Sequence, residues 1–248
     1  MHPNIQRFFE EGDAEIENMG KDADVQGLSR IWLREITRHK YAYHFTWLGR
    51  PAIQFPQDMI ATQELIWQIK PDLIIETGVA HGGSILFYAS LLELIHPGEE
   101  AYVLGIDIDI RAHNRTEIEN HPYFHRVRLL EGSSVSADTI EQVHEHAANK
   151  QRIMVILDSN HTHEHVLQEL QAYAPLVTDG SYCIVMDTLI EHMPADFFEN
   201  STWGIGNNPQ TAVNAYLEEN PHFSVDRRID HKLLISAAPG GYLKCQKP

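Results

Sequence analysis

Cysteine is scarce in this chain, with only Cys183 and Cys245 among 248 residues. Two thiols cannot make a disulfide framework, so a hydrophobic core must carry the fold. Both are expected to be reduced, Cys183 within a strand and Cys245 in the tail. Basic residues are also few: nineteen Lys plus Arg stand against thirty-five Asp plus Glu, a formal net charge of −16, and no basic cluster breaks the pattern. Such a surface repels a phosphate backbone, which argues against nucleic acid as a partner. No apolar run approaches the roughly 20 residues that a membrane span requires. The first residues hold no basic segment followed by an apolar one, as a secretory leader would. A cytoplasmic protein without a membrane span is expected.

What is present suits one large α/β domain with an appendage, since 43% hydrophobic content supports a sizeable core. Residues 1–25 form an acidic arm too poor in large apolar groups to offset chain entropy unaided, expected to be mobile or docked on a partner. Residues 26–248 form the main domain, in which 26–70 supply a helical and aromatic N-terminal part. The spacing of Leu28, Ile31, Trp32, Leu33 and Ile36 predicts a helix over Gln26–Lys40. The aromatic segment YAYHFTWLG follows, and a second helix begins after Pro56 and stops before Pro71.

Five apolar runs then alternate with helical patterns: LIIE (73–76), YVLGID (102–107), VRLLE (127–131), IMVILD (153–158) and YCIVMD (182–187). Hydrophobicity that is continuous, not alternating, marks parallel strands buried on both faces. Near the C-terminus a helix over Gln210–Glu219 precedes FSVDR and KLLIS, which are expected to pair as a closing antiparallel hairpin. Five parallel strands plus such a hairpin predict a Rossmann-like sheet of the methyltransferase type.

The stretch PDLIIETGVAHGGS, Pro71–Ser84, reads as a strand, a tight turn and a helix start. Such a turn aims unpaired backbone N–H groups at a ligand, and its glycines admit a ligand where a Cβ would collide. Asp107 ends the next strand about thirty residues on, where an acid meets ribose hydroxyls in doubly wound folds. The glycines are Gly78, Gly82 and Gly83, with Ala80 where a dinucleotide fingerprint wants its second glycine, so NAD is disfavoured. No Gly-Lys-Ser/Thr follows, which removes the main support for ATP chemistry. The E-x-G-x-x-x-G-G-S pattern, Glu76 to Ser84, fits S-adenosylmethionine better, with Asp107 on the ribose and Ser133 and Ser134 of EGSS at the adenine. His81 in the turn either contacts this ligand or is an exposed turn residue.

Glu76, Asp107 and Asp158 end the first, second and fourth strands, and Asp187 ends the fifth. In open α/β sheets these ends share one crevice, so the four acids should converge. The alternative is that each caps a following helix or is merely solvated. After Asp158 comes SNHTHEHV, but His161, His163 and His165 cannot all share one helix face, and no H-E-x-x-H is present. A zinc site is therefore not expected, and His163 and His165 are read as surface-helix residues. Asn207 and Asn208 read as turn and cap residues before Pro209.

The segments GRPAIQFPQDM, PDLIIETGVAHGGS, VLGIDIDIRAHNR, EGSS, LDSNHTHEHV, GSYCIVMDT, GNNPQTAVNAYLEENP and DHKLLISAAPGGYL together resemble the family of cephalosporin hydroxylases and rhamnosyl O-methyltransferases, over about residues 27–244. The resemblance implies a methyltransferase that uses S-adenosylmethionine and Mg²⁺ on a hydroxyl of a sugar or polyhydroxylated natural-product or surface-polysaccharide acceptor. It implies metal ligation by Asp158 and Asp187, with Thr188 as third ligand, and His161 as the base that removes the acceptor proton. A structural role is the alternative for His161. Some relatives carry two consecutive acids at the fifth strand end, where this chain has Met186 before Asp187. The rival classes are an oxidoreductase with a nicotinamide or iron centre and a non-catalytic accessory protein. Acceptor choice is assigned to the aromatic segment and the Leu189–Asn208 loop, and the aromatic arm makes a homo-oligomer an expectation.

Overall fold

The computed structural model describes residues 2–247. The acidic segment forms a helix, Pro3–Lys21 (α1), with Pro3 in its first turn and no buried residue. Asp22 ends α1 and begins the next helix, Ala23–Arg38 (α2): its N–H bonds back to Asn18 and Met19, while its side chain accepts from the N–H groups of Asp24 and Val25. The aromatic segment is not helical. A single 3₁₀ turn, Tyr41–His44, leads into a two-stranded antiparallel ribbon, Phe45–Trp47 (β1) and Arg50–Ala52 (β2). Pro56–Ile69 (α3) then delivers the chain to the main sheet.

Leu73–Thr77 (β3), Tyr102–Asp107 (β4), Val127–Glu131 (β5), Ile153–Leu157 (β6) and Tyr182–Val185 (β7) are the five runs read from sequence, and they are parallel neighbours. Every residue of β3, β6 and β7 is buried, which is why their apolar character is continuous. The crossovers are Gly83–Ile95 (α4), Ala112–Glu119 (α5), Ala137–Ala147 (α6) and His163–Tyr173 (α7). Pro209–Glu219 (α8) carries a full capping box from Asn208 and Thr211, as its Asn-Pro start predicts.

The closing strands differ from expectation in one member. Phe223–Val225 (β8) is a strand, but Lys232–Ser236 is not its partner. Asp226 accepts the N–H of Arg228 and caps a short helix, Arg227–Leu233 (α9), so helix initiation overrides the apolar KLLIS pattern. The strand that pairs with both β7 and β8, antiparallel to each, is Tyr242–Cys245 (β9). Cys245 is therefore a buried strand residue and not part of a tail; it and Cys183 are both free thiols. Asp58, buried near the start of α3, anchors this end of the chain by accepting from Ser236 Oγ at 2.6 Å, Ala237 N at 2.7 Å and Tyr242 OH at 2.8 Å. Burial raises its pKa to about 6 in spite of those donors.

The strand order is β5-β4-β3-β6-β7-β9-β8, a mostly parallel seven-stranded sheet flanked by helices with an N-terminal helical extension. Order reverses between β3 and β6, and the crevice beyond their carboxyl ends is where such sheets bind ligands. The four acids named above arrive at this edge. Among the described residues no helix is long and apolar enough to cross a membrane.

Candidate active site

The turn after β3 is held from both sides. Gly78 N–H bonds to Ile106 O at 2.7 Å, and Gly82 N–H to Val79 O at 2.8 Å. Asp107, at the end of β4, accepts from Val79 N at 2.8 Å and Ala80 N at 3.1 Å through one carboxylate oxygen, and from Asp109 N at 3.1 Å through the other. On the outer side Asn114 donates to Ala80 O at 2.9 Å and accepts from Arg50 Nη2 at 2.9 Å, while Arg50 Nε donates to His81 O at 3.0 Å. His81 lies 3.4 Å from the same Asn114 oxygen. Arg50 and Asn114 were not singled out in the sequence, because residues 64 apart give no local signal of meeting.

The glycines serve the chain itself as well as any ligand. Gly78 sits at φ +92°, and a Cβ there would lie 1.9 Å from the carbonyl oxygen of Asp158. At Gly83 a Cβ would lie 2.2 Å from Pro51 O, so this glycine lets β2 pack on the start of α4. Gly82, at φ +82°, faces Ile118. Close approach is thus required on the protein side of the turn, a role that sequence alone does not separate from ligand contact.

Glu76 is fully buried beneath the turn. Ser84 Oγ donates to one of its oxygens at 2.9 Å, and the other has no hydrogen-bond partner. Desolvation raises its pKa to about 8, against the lowering effect of the hydroxyl donors. An orphaned buried carboxylate oxygen beside an N–H-rich turn is suited to a ligand bearing a cationic amino group.

At the next two strand ends the picture changes. Asp158 follows β6 and Asp187 follows β7, the latter in the left-handed region at φ 56°. One donor atom each of Asp158, His161 and Asp187 lies within 4.8 Å of the others, close enough to converge on one cation. His161 Nε2 is 3.3 Å from Asp187 Oδ2, and Trp203 packs edge-to-face on the imidazole at 4.9 Å. Burial is the larger cause that pushes the Asp158 carboxyl well above its usual range, and the charge of Asp187 is the next. Two carboxylates and an imidazole fit a hard divalent cation that keeps several waters.

Thr188 stands apart from this cluster, fully buried, with its hydroxyl donating to Pro239 O at 2.9 Å. Ser134 is likewise engaged internally. Its hydroxyl donates to Glu169 at 2.6 Å and meets His165 Nε2 at 3.0 Å, and Ser159 Oγ donates to the same Glu169 oxygen at 2.6 Å. Ser133 is half-buried beside it. His163 contacts Thr211 Oγ1 at 2.8 Å and receives an N-terminal cap from Asn207, so α7 and α8 are joined through residues read as surface and turn.

A cavity of about 780 Å³ opens over this edge. Gly78, Ala80, His81, Gly83, Ser84, Asp158, His161 and Asp187 line it, whereas Glu76, Gly82, Asp107, Ser133, Ser134 and Thr188 lie outside the lining. Its lining also takes in Thr37, Arg38 and Lys40 at the end of α2, Tyr41–Tyr43 of the aromatic segment, and residues of the Leu189–Asn208 loop from Leu189 to Trp203.

Fold and edge define a Rossmann-like methyltransferase architecture with a candidate cation site at the carboxyl ends of β6 and β7. The chain belongs to the family described as rhamnosyl O-methyltransferase/CmcI, whose match spans residues 39–246. A rhamnosyl O-methyltransferase of Mycobacterium bovis (strain BCG / Pasteur 1173P2) is 30% identical over 206 residues, covering 80% of this chain and 77% of that protein. One from Mycobacterium leprae (strain TN) is 29% identical over 201 residues, covering 80% and 82%. Among solved structures, cmcI-D160 Mg-SAM superposes with a TM-score of 0.56 at 20% identity, covering 83% of this chain and 78% of its own. The O-methyltransferase NovP gives 0.53 at 15% identity, covering 77% and 80%. At those identities the structural likeness speaks for the fold.

Proposed function

We propose that the protein is an O-methyltransferase that uses S-adenosylmethionine and Mg²⁺ to methylate a hydroxyl of a sugar, of the rhamnosyl type that names its relatives. The carrying observation is the pair Asp158 and Asp187, held with His161 in the lining of the cavity that the glycine turn also lines. When bound, S-adenosylmethionine supplies an electrophilic methyl group and Mg²⁺ supplies Lewis-acid polarisation of the acceptor hydroxyl. In this reading the residues Gly78–Ser84, with Glu76 beneath them, grip the methionine end of the cofactor, and Asp107, Ser133 and Ser134 flank its nucleoside.

Asp158 and Asp187 would hold the cation, and burial, which favours the protonated form of Asp158, would couple metal uptake to loss of that proton. His161, oriented by Asp187 and the edge of Trp203, takes the proton of the acceptor hydroxyl as its oxygen attacks the methyl group. Thr188, its hydroxyl committed to Pro239, serves at most as an outer support for Asp187.

Calorimetry with S-adenosylhomocysteine, with and without Mg²⁺, tests cofactor and metal together. Tight cofactor binding and saturable Mg²⁺ uptake are expected, and a protein that binds neither refutes the assignment. His161→Ala should lower turnover and leave Mg²⁺ affinity unchanged. A fall in that affinity would move His161 into the ligand set.

A further inference from the structure

The acceptor end of the cavity carries a charge that methylation of a plain sugar does not call for. Of all the lining residues, the Lys and Arg members are Arg38 and Lys40, side by side where α2 runs out, in a chain whose overall charge is −16. Arg38 reaches across the mouth: its guanidinium lies 5.0 Å from the centre of the Phe197 ring on the opposite wall. A guanidinium braced on an aromatic face keeps an N–H edge for an anion with two oxygens to offer, such as a phosphate. One nitrogen edge is shared with Glu35, at 3.5 Å.

Lys40 is a non-glycine residue in the left-handed region, φ 51° and ψ 44°. No carboxylate lies within 4 Å of its ammonium group among the described residues, and the ring of Tyr43 is 6.0 Å from it. The acidic members of the lining are Asp158, Asp187 and Asp196. With a divalent ion on the first two, Asp196 would be the remaining acid of the lining, and Glu35, outside the lining, is the acid beside Arg38. His161 with Trp203, and Arg38 with Phe197, line the same cavity, so the two cations share it with the Asp158–Asp187 pair.

We infer that the acceptor is an anionic sugar derivative, a glycosyl phosphate, whose phosphate is received by Arg38 and Lys40 while a ring hydroxyl meets the Asp158–Asp187 site. This rests on the methyl-transfer reading above and adds the substrate class. The phosphate belongs to either a simple sugar phosphate or a nucleoside diphosphate sugar, since both present the same oxygens.

The test uses the whole protein loaded with S-adenosylhomocysteine and Mg²⁺ and titrated calorimetrically with methyl α-L-rhamnoside, L-rhamnose 1-phosphate and a nucleoside diphosphate rhamnose. The sugar phosphate should bind roughly tenfold or more tightly than the neutral glycoside, as a charge-assisted contact warrants. The advantage should shrink with added salt and survive omission of Mg²⁺. In Arg38→Gln/Lys40→Gln it should vanish, with the affinity for methyl rhamnoside unchanged. A further gain with the nucleotide sugar assigns the phosphate to that carrier, and equal affinity assigns it to the simple phosphate; both outcomes support the inference. Equal binding of neutral and charged sugars overturns it, as does a double variant that loses both alike, a preference that disappears without Mg²⁺, or no sugar binding at millimolar concentration. Failure of S-adenosylhomocysteine to bind in the same cell would instead sink the methyl-transfer reading.

Discussion

Two acids at neighbouring regions of one sheet edge are used in opposite ways. Asp107, after β4, receives three backbone N–H groups from its own chain and so fixes the turn that follows β3. Asp158, after β6, receives no hydrogen bond on its carboxylate among the described residues, and it faces a second acid in Asp187. The first arrangement is complete as it stands. The second places like charges together in a half-enclosed cavity, and such an arrangement is stable only when a cation or protons balance it. A strand-end acid therefore does not reveal its task by position: one is already bonded by its own chain, and the other stands open to a cation.

The largest effect should come from the unsatisfied side. Asp158→Ala and Asp187→Ala are each expected to weaken Mg²⁺ binding by roughly a hundredfold or more and to abolish metal-stimulated turnover, while S-adenosylhomocysteine still binds. In metal-free buffer near neutral pH Asp158→Asn should raise the unfolding midpoint, because it removes a buried carboxyl whose ionisation is disfavoured by burial and by Asp187. Asp107→Ala should do the reverse, with about 1–3 kcal/mol of stability lost with its three charge-assisted bonds. Denaturant midpoints of the two variants that move in the same direction would erase the comparison.

The sequence made some of this legible and hid the rest for physical reasons. Strands β3, β4, β6 and β7 announce themselves because both faces are buried, while the edge strand β5 is exposed at Arg128 and Glu131, and the acids at their ends follow from the runs. What a run of residues cannot show is which partner a side chain finds across the fold. The Arg50–Asn114 clamp, the sharing of Glu169 by Ser134 and Ser159, and Trp203 against His161 all join residues distant in sequence. The KLLIS segment misled because local apolar pattern is indifferent between a strand and the end of a helix capped by Asp226. Thr188 adjoins the right acid, yet its backbone turns the hydroxyl toward Pro239.

Glycine marks the seam between the two regions. Gly78 touches the carbonyl of Asp158, so the cofactor turn and the cation corner are built on a shared contact. Gly78→Ala should force them apart and combine an unfavourable positive φ with a backbone overlap, at about 2–4 kcal/mol of stability and with weaker binding of both S-adenosylhomocysteine and Mg²⁺. Gly83→Ala meets the backbone of Pro51 instead. It should cost about 1–3 kcal/mol and impair the cofactor while sparing Mg²⁺. A Gly83 variant that loses metal as readily as a Gly78 variant would show that the regions are coupled more widely than by this one contact.

The last expected effect is a slope in pH, and it concerns the acid between the two extremes. Glu76 is half satisfied, with Ser84 on one oxygen and nothing on the other. Its carboxyl titrates near pH 8 in the folded chain, against an ordinary value of 4.5. Between those limits the folded protein keeps a proton that the unfolded chain has released, so stability falls as pH rises from about 4.5 to about 8 and is level on either side. The slope from this one group is at most about 1.4 kcal/mol per pH unit. Other groups titrate in the same range, so the measurement is the difference in unfolding free energy between the wild type and Glu76→Gln, followed across pH without metal or cofactor. That difference should change steadily through the window. A flat difference would mean that Glu76 is already ionised and balanced by its own chain, as Asp107 is.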